Sequence, residues 1–320
     1  MNTLESRGRL LNHKPATLGP VVYWMNREMR LEDNWALIYA QTQARERQQP
    51  CLVIFSLFDH FESAKNLQDD PMFHRMKMGL KLVVKQAKVK GLPFYILHGD
   101  TITTIQTFLK NVQAGLFITD FSPLKAMRDL RESLAKTIPM KMVEVDAHNI
   151  IPIHIASEKQ EWGAYTLRPK IHKLLPEYLH AFPKWISTLP YQYQGPHDES
   201  FLHKIHDDIN PTLALNQFIN LRLNHYEQRN DPNVEATSRL SSYFHFGHVS
   251  SQTVALAVKA TSGQHESFLE EMIVRKELAD NFCFYNRNYD AFEGFPDWAQ
   301  KTLNLHRHDR REYLYSLDQF

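Results

Sequence analysis

Glycine is scarce in this chain, 11 among 320 residues, and nowhere does it fall into a G-x-G-x-x-G spacing. That fingerprint is what lets the backbone of a first strand-to-helix turn close on a pyrophosphate, so a nicotinamide dinucleotide is not expected there. Cysteine is rarer still. Cys51 and Cys283 both sit among apolar neighbours, which predicts two buried free thiols rather than a disulfide and fits a reducing compartment. No run reaches the roughly 18 apolar residues that a membrane span requires. The first twenty residues lack the apolar core of a secretion signal and read as an N-terminal arm. Soluble and cytoplasmic, without a membrane partner and monomeric, is the expectation. Nor does one sign of charge dominate, since 37 Lys and Arg meet 36 Asp and Glu. Any nucleic-acid contact must therefore come from a local patch.

What is present organises the chain into two halves. Short runs of β type recur at Val21–Trp24, Cys51–Phe58, Pro93–His98, Leu116–Phe121 and Lys141–Val145. Helical patterns lie between them, the clearest from Met72 to Val89. There Phe73, Met76, Leu80, Val83 and Ala87 recur at spacings of three and four, which places them on one face. Strands alternating with helices predict a doubly wound, Rossmann-like α/β domain with a parallel sheet over residues 1–150. Residues 151–205 carry Pro152, Pro169, Pro176, Pro183, Pro190 and Pro196 and read as an inter-domain connection with short helices. From residue 206 to 320 no strand is evident. Leu213–Tyr226, Phe246–Ala260 and His265–Tyr285 predict a helical second domain.

The stretch Arg229–Ser250, RNDPNVEATSRLSSYFHFGHVS, carries the strongest functional signal. Thr237, Ser238, Ser241 and Ser242 surround Arg239 just ahead of an apolar helical pattern. Free N–H groups at a helix start, hydroxyls and a guanidinium suit a phosphate or pyrophosphate, although an ordinary helix cap has the same composition. Glu271 and Arg275 are four apart and are expected to pair on one helix face. Trp298 reads either as a buried residue at a helix start or as a stacking platform for a base. His306 to Arg311 form a basic cluster suited to phosphates or to a solvated face. Near the first strand, Asp33 is expected to cap a helix, while Arg27, Arg30 and Glu32 make surface pairs and receive no chemistry. The histidine pairs His203 with His206, His245 with His248, and His306 with His308 lack further ligands at metal spacing, so no metal is expected.

Four segments, VYWMNREMRLEDNWAL (22–37), the 229–250 stretch, FLEEMIVRKELADNFCFYNRNY (268–289) and PDWAQKTLNLHRHDRREYLYSLDQF (296–320), resemble the photolyase/cryptochrome family. The likeness is to class II cyclobutane pyrimidine dimer photolyases and runs through nearly the whole chain in order. It implies a helical FAD-binding domain after the α/β domain and light-driven repair of damaged double-stranded DNA by a reduced flavin. By residue match, Tyr226, Thr237, Ser238, Arg239, Leu240 and Ser241 would hold the FAD. Glu271 and Arg275 would face the flipped lesion and Trp298 would meet DNA. In the family the α/β half can hold a second, antenna chromophore, and the sequence leaves open whether one binds here and which; no catalytic residue is assigned.

Departures from the family bear on this expectation. Its flavin-contacting tyrosine stands four residues before the arginine matched by Arg229, where this chain has His225; Tyr226 stands three before. Ser242 occupies a common proline position. The chain ends at Phe320, where photolyases continue through further helices, so the FAD-binding domain is expected to be incomplete. Two readings therefore stay open: a repair lyase, or a cryptochrome-like or remnant protein without repair activity.

Overall fold

The computed structural model describes residues 3–58, 70–263 and 265–319. Six strands form one sheet: β1 (Gly8–Leu10), β2 (Val21–Met25), β3 (Cys51–Phe58), β4 (Phe94–Gly99), β5 (Leu116–Asp120) and β6 (Lys141–Val145). Their order is β1-β6-β5-β2-β3-β4, with β2 to β6 parallel and β1 antiparallel to β6. The parallel strands are those the sequence predicts. β1 lies in the stretch read as an arm, because three residues are too few to show alternation. It is pinned by Arg9, whose guanidinium donates to Glu144 at 2.8 Å.

Both faces of the sheet are covered. Val21, Tyr23 and Met25 point to one cluster, shared with α1 (Trp35–Glu46) and α2 (Pro71–Lys90). Val22 and Trp24 point to the other, shared with α3 (Thr101–Asn111) and α4 (Lys125–Thr137). Period-two alternation with both faces buried explains why β2 reads as continuously apolar. Helix α1 is capped by Asn34, whose side chain accepts from the N–H of Ala36 and Leu37, and not by Asp33 as expected. Asp33 has φ 54° and takes a hydrogen bond from Thr253 Oγ1 at 2.7 Å instead.

The proline-rich stretch has two destinations. Its first part forms α5 (Ile153–Ala156) and α6 (Ala164–Tyr178), whose Leu167 and Ile171 enter the core of the helical part. Its second part returns to the sheet. Phe182 and Leu202 pack on one face and Tyr193 on the other, and the Asp198 N–H reaches Ile96 O at 3.2 Å.

The helical part continues with α7 (Pro211–Leu221), a 3-10 turn at Leu223–Gln228, α8 (Ser241–His245) and α9 (Ser251–Lys259). Helix α9 starts five residues later than predicted. Gly247 has φ 63°, which breaks the helix, and Ser250 caps the new start. That glycine is required: a Cβ there would lie 2.5 Å from Glu28 Cα. The helical part thus docks directly on the loop after β2. The predicted helix from 265 to 285 exists in three pieces: α10 (Glu266–Leu269), a π-helical segment at Glu270–Arg275, and α11 (Lys276–Tyr285). Helix α12 (Asp297–Leu305) buries none of its residues.

Candidate functional site

The strand order reverses between β5 and β2, and a crevice is expected outside their carboxyl ends. There Asp120 closes the first turn upon itself. Its carboxylate accepts the backbone N–H groups of Asn26 at 3.3 Å, Arg27 at 3.1 Å and Glu28 at 2.8 Å. The amides that would cradle a phosphate in a glycine-rich turn are already taken by a protein anion. Burial, helped by the charge of Glu28, pushes the Asp120 carboxyl up to about 6 against those three donors.

The loop that follows is buried rather than superficial. Glu28 accepts from Arg30 and pairs with His148 Nδ1 at 2.7 Å. Burial alone would raise its carboxyl, but Arg30 and His148 outweigh burial and hold it well below the usual range. Arg30 also donates to Gly247 O at 2.8 Å and Ala147 O at 3.0 Å, tying the loop to both halves. The surface pairing predicted for Arg27 and Arg30 is therefore not what forms; only Glu32 stays outside, 3.0 Å from Lys90.

Two cavities flank this loop. One, of about 480 Å³, lies at the strand ends among Phe55, Leu57, Met76, Met127, Asp280 and Cys283. Cys283 is half-buried in its wall, whereas Cys51 is fully buried and its thiol is pushed up to about 12 by burial. The second, a cleft of about 380 Å³, opens between the loop and the helical part. Arg27 and His245 border both. Each volume is within the range of small-molecule sites.

The cleft gathers only some of the residues singled out from sequence. Tyr226, Ser238, Ser241 and Glu271 line it. Of His225 and Tyr226, it is the tyrosine that faces in; burial raises its hydroxyl against the charge of Arg229. Thr237 is exposed, and Leu240 is fully buried in the helical core with its N–H donated to Ser238 Oγ. Arg239 sits at φ 58° and turns outward to Glu235 at 2.9 Å, so the expected guanidinium seat is not assembled. The helix it precedes has five residues and starts with Leu240 rather than a polar cap.

The paired glutamates show what the π segment does. Its wider turn, closing i to i+5, breaks the i,i+4 alignment expected of Glu271 with Arg275. Glu270 instead receives Arg168 at 2.7 Å and Arg275 at 3.7 Å, outside the cleft. Glu271 receives Arg229 at 3.2 Å, and Lys276, five residues on, joins it in the cleft wall. Arg229 also donates to Ser267 and lies 4.9 Å over the Tyr226 ring, fixing both cleft side chains. Sequence reasoning missed His148, Lys276, Phe244, Phe268 and Met272, all in the cleft wall. Trp298 is 72% exposed, contrary to a buried helix start, and His306 to Arg311 are all exposed. Among the described residues, no group of three or more His, Cys, Asp or Glu is placed to hold a metal.

Fold and site together define a two-part architecture: a doubly wound sheet joined to a helical unit, with adjoining cavities at their seam. A sequence model of the DNA photolyase family matches residues 21–187. A deoxyribodipyrimidine photo-lyase from Arabidopsis thaliana is 40% identical over 335 residues, covering 95% of this chain and 66% of the relative. One from Potorous tridactylus is 39% identical over 323 residues, covering 93% and 60%. An archaeal photolyase from Sulfolobus tokodaii, solved with two FAD molecules, shares the fold at 13% identity. Its TM-score is 0.62, over 89% of this chain and 66% of that one. This chain belongs to the photolyase/cryptochrome family. It spans 60–66% of the length of the two curated relatives.

Proposed function

We propose that the cleft receives FAD and that the protein is a light-dependent DNA lyase acting on cyclobutane pyrimidine dimers, of the class II type. The observation that carries this reading is the convergence of Tyr226, Ser238, Ser241 and Glu271, matched from one family, on a single cleft. The residues fit such a group in chemistry: the cleft is apolar at Phe244, Phe268 and Met272 and polar at Ser238, Ser241 and Lys276. Tyr226 and the hydroxyls of Ser238 and Ser241 would hold the cofactor, with Thr237 and Arg239 at its outer rim and Leu240 beneath. Bound there in its reduced state, the flavin would supply a photoexcited electron that opens the dimer and is then returned.

The chain's own part is to bind, orient and exclude water. Glu271, steadied by Arg229, offers a carboxylate to the bases of an everted dimer, and a damaged step costs less to unstack. Arg275, which pairs with Glu270 outside the cleft, and the exposed Trp298 and His306–Arg311 suit the flanking phosphates and bases of damaged double-stranded DNA. The strand-end cavity suits an antenna chromophore. The test is illumination of the protein with reduced FAD on dimer-containing DNA. Restoration of the dimers in light and not in darkness is expected; flavin bound without light-dependent repair contradicts the reading.

A further inference from the structure

Arg27 borders both cavities, and its backbone N–H is anchored on Asp120. Its side chain is 24% exposed, yet Nη1 is buried and makes no hydrogen bond. The nearest carboxylate oxygen, Asp280 Oδ1, is 3.9 Å away, beyond hydrogen-bond reach. A buried donor without an acceptor is costly, and one beside a cavity points to an acceptor that a ligand brings. Lys276 lines the same cleft. Its ammonium is fixed by His148 O at 3.2 Å and Asn149 Oδ1 at 3.0 Å. The nearby anions are otherwise engaged: Glu28 with Arg30 and His148, Glu271 with Arg229. Asp280 borders the other cavity.

We propose that Arg27 and Lys276 make this end of the cleft an anion-binding wall, which takes either a phosphate of the ligand or a deprotonated edge of its heteroaromatic ring. The wall comes from both halves of the molecule, the loop after β2 and the first turn of α11. It stands on this geometry and does not require the ligand to be flavin. Its counter-charge is Asp280, 3.9 Å from Arg27 and 3.8 Å from Lys276, so the carboxylate competes with the ligand for both cations.

Calorimetric titration with inorganic pyrophosphate and, anaerobically, with reduced and oxidised riboflavin separates the sources. Pyrophosphate binding identifies a phosphate site, and preference for reduced over oxidised riboflavin a ring site. Arg27→Gln and Lys276→Gln should each weaken the anionic probe about tenfold or more, the scale of a lost charge-assisted contact. Oxidised riboflavin should change less than about twofold. Arg27→Lys should recover part of the loss. Asp280→Asn should strengthen anion binding several-fold, a gain that misfolding cannot imitate. Unchanged affinities in both glutamine variants, or neither anionic probe binding the wild type, overturn the proposal. Anion binding lost in Arg27→Gln by a protein that takes no FAD would keep the wall and discard the flavin. FAD binding with both glutamine variants unaltered would do the reverse.

Discussion

Two arginine-bearing turns frame the cleft, and they are held in opposite ways. The turn at 237–241 shows its chemistry openly in the sequence, yet Arg239 stands 60% exposed and pairs with Glu235 four residues away. The turn at 26–30 looks like an unremarkable cap, yet it is locked by Asp120, Ala147 and Gly247, all distant in sequence. Local composition advertises what a turn is able to bind. Distant acceptors decide which of its groups face the cavity. The difference predicts that removing tertiary anchors of the first turn does more damage than removing the arginine of the second.

The largest effect should come from Asp120→Ala. It strands the backbone N–H groups of three consecutive residues in a buried turn, and at about 1–3 kcal/mol for each such donor the loss should exceed 3 kcal/mol. Urea unfolding measures it; a loss below 1 kcal/mol on the same scale would mean that the turn holds itself. Next is Arg27→Gln, expected to weaken FAD retention by about 1.5–3 kcal/mol with little change in unfolding midpoint. Equilibrium dialysis reads the first and thermal melting the second.

Third is a pH dependence at the seam. Glu277 is buried and accepts from the N–H of Ile150 at 2.7 Å and Ile151 at 3.3 Å; burial pushes its carboxyl up to about 8. The folded chain therefore keeps a proton that the unfolded chain releases near the ordinary carboxylate range. The stability Glu277 confers is full below that range and is lost as pH rises toward 8. Asp120, near 6, acts with the same sign, so the informative quantity is the difference between wild type and Glu277→Gln. Between pH 5 and 8 the wild type should lose stability relative to the variant, by no more than about 1.4 kcal/mol per pH unit. Parallel profiles would remove Glu277 from this role. The smallest effect belongs to Arg239→Ala: its exposed ion pair should contribute under about 0.5 kcal/mol to folding, and FAD retention should fall less than in Arg27→Gln. A larger loss for Arg239→Ala would reverse the comparison.

Much of the fold was legible because its signals are local. Val21–Met25 is apolar throughout and Cys51–Phe58 is apolar but for Ser56, as suits strands covered on both faces, and the face of α2 repeats at three and four. The site was legible in part. Tyr226, Ser238, Ser241 and Glu271 came through residue matches, while Arg27 depends on Asp120, ninety-three positions away (120 − 27), which no pattern reveals. The sequence EEMIVR reads as ordinary α-helix. Only packing shows the wider turn that sends Glu270 and Arg275 outward and brings Lys276 in.

The account rests on a flavin dinucleotide occupying the cleft between the strand-end loop and the π segment. Titrating FAD with the purified protein while following flavin fluorescence tests this most directly. Saturable quenching that is weakened in Arg27→Gln is the predicted result. Fluorescence that stays that of free FAD at every protein concentration would contradict it.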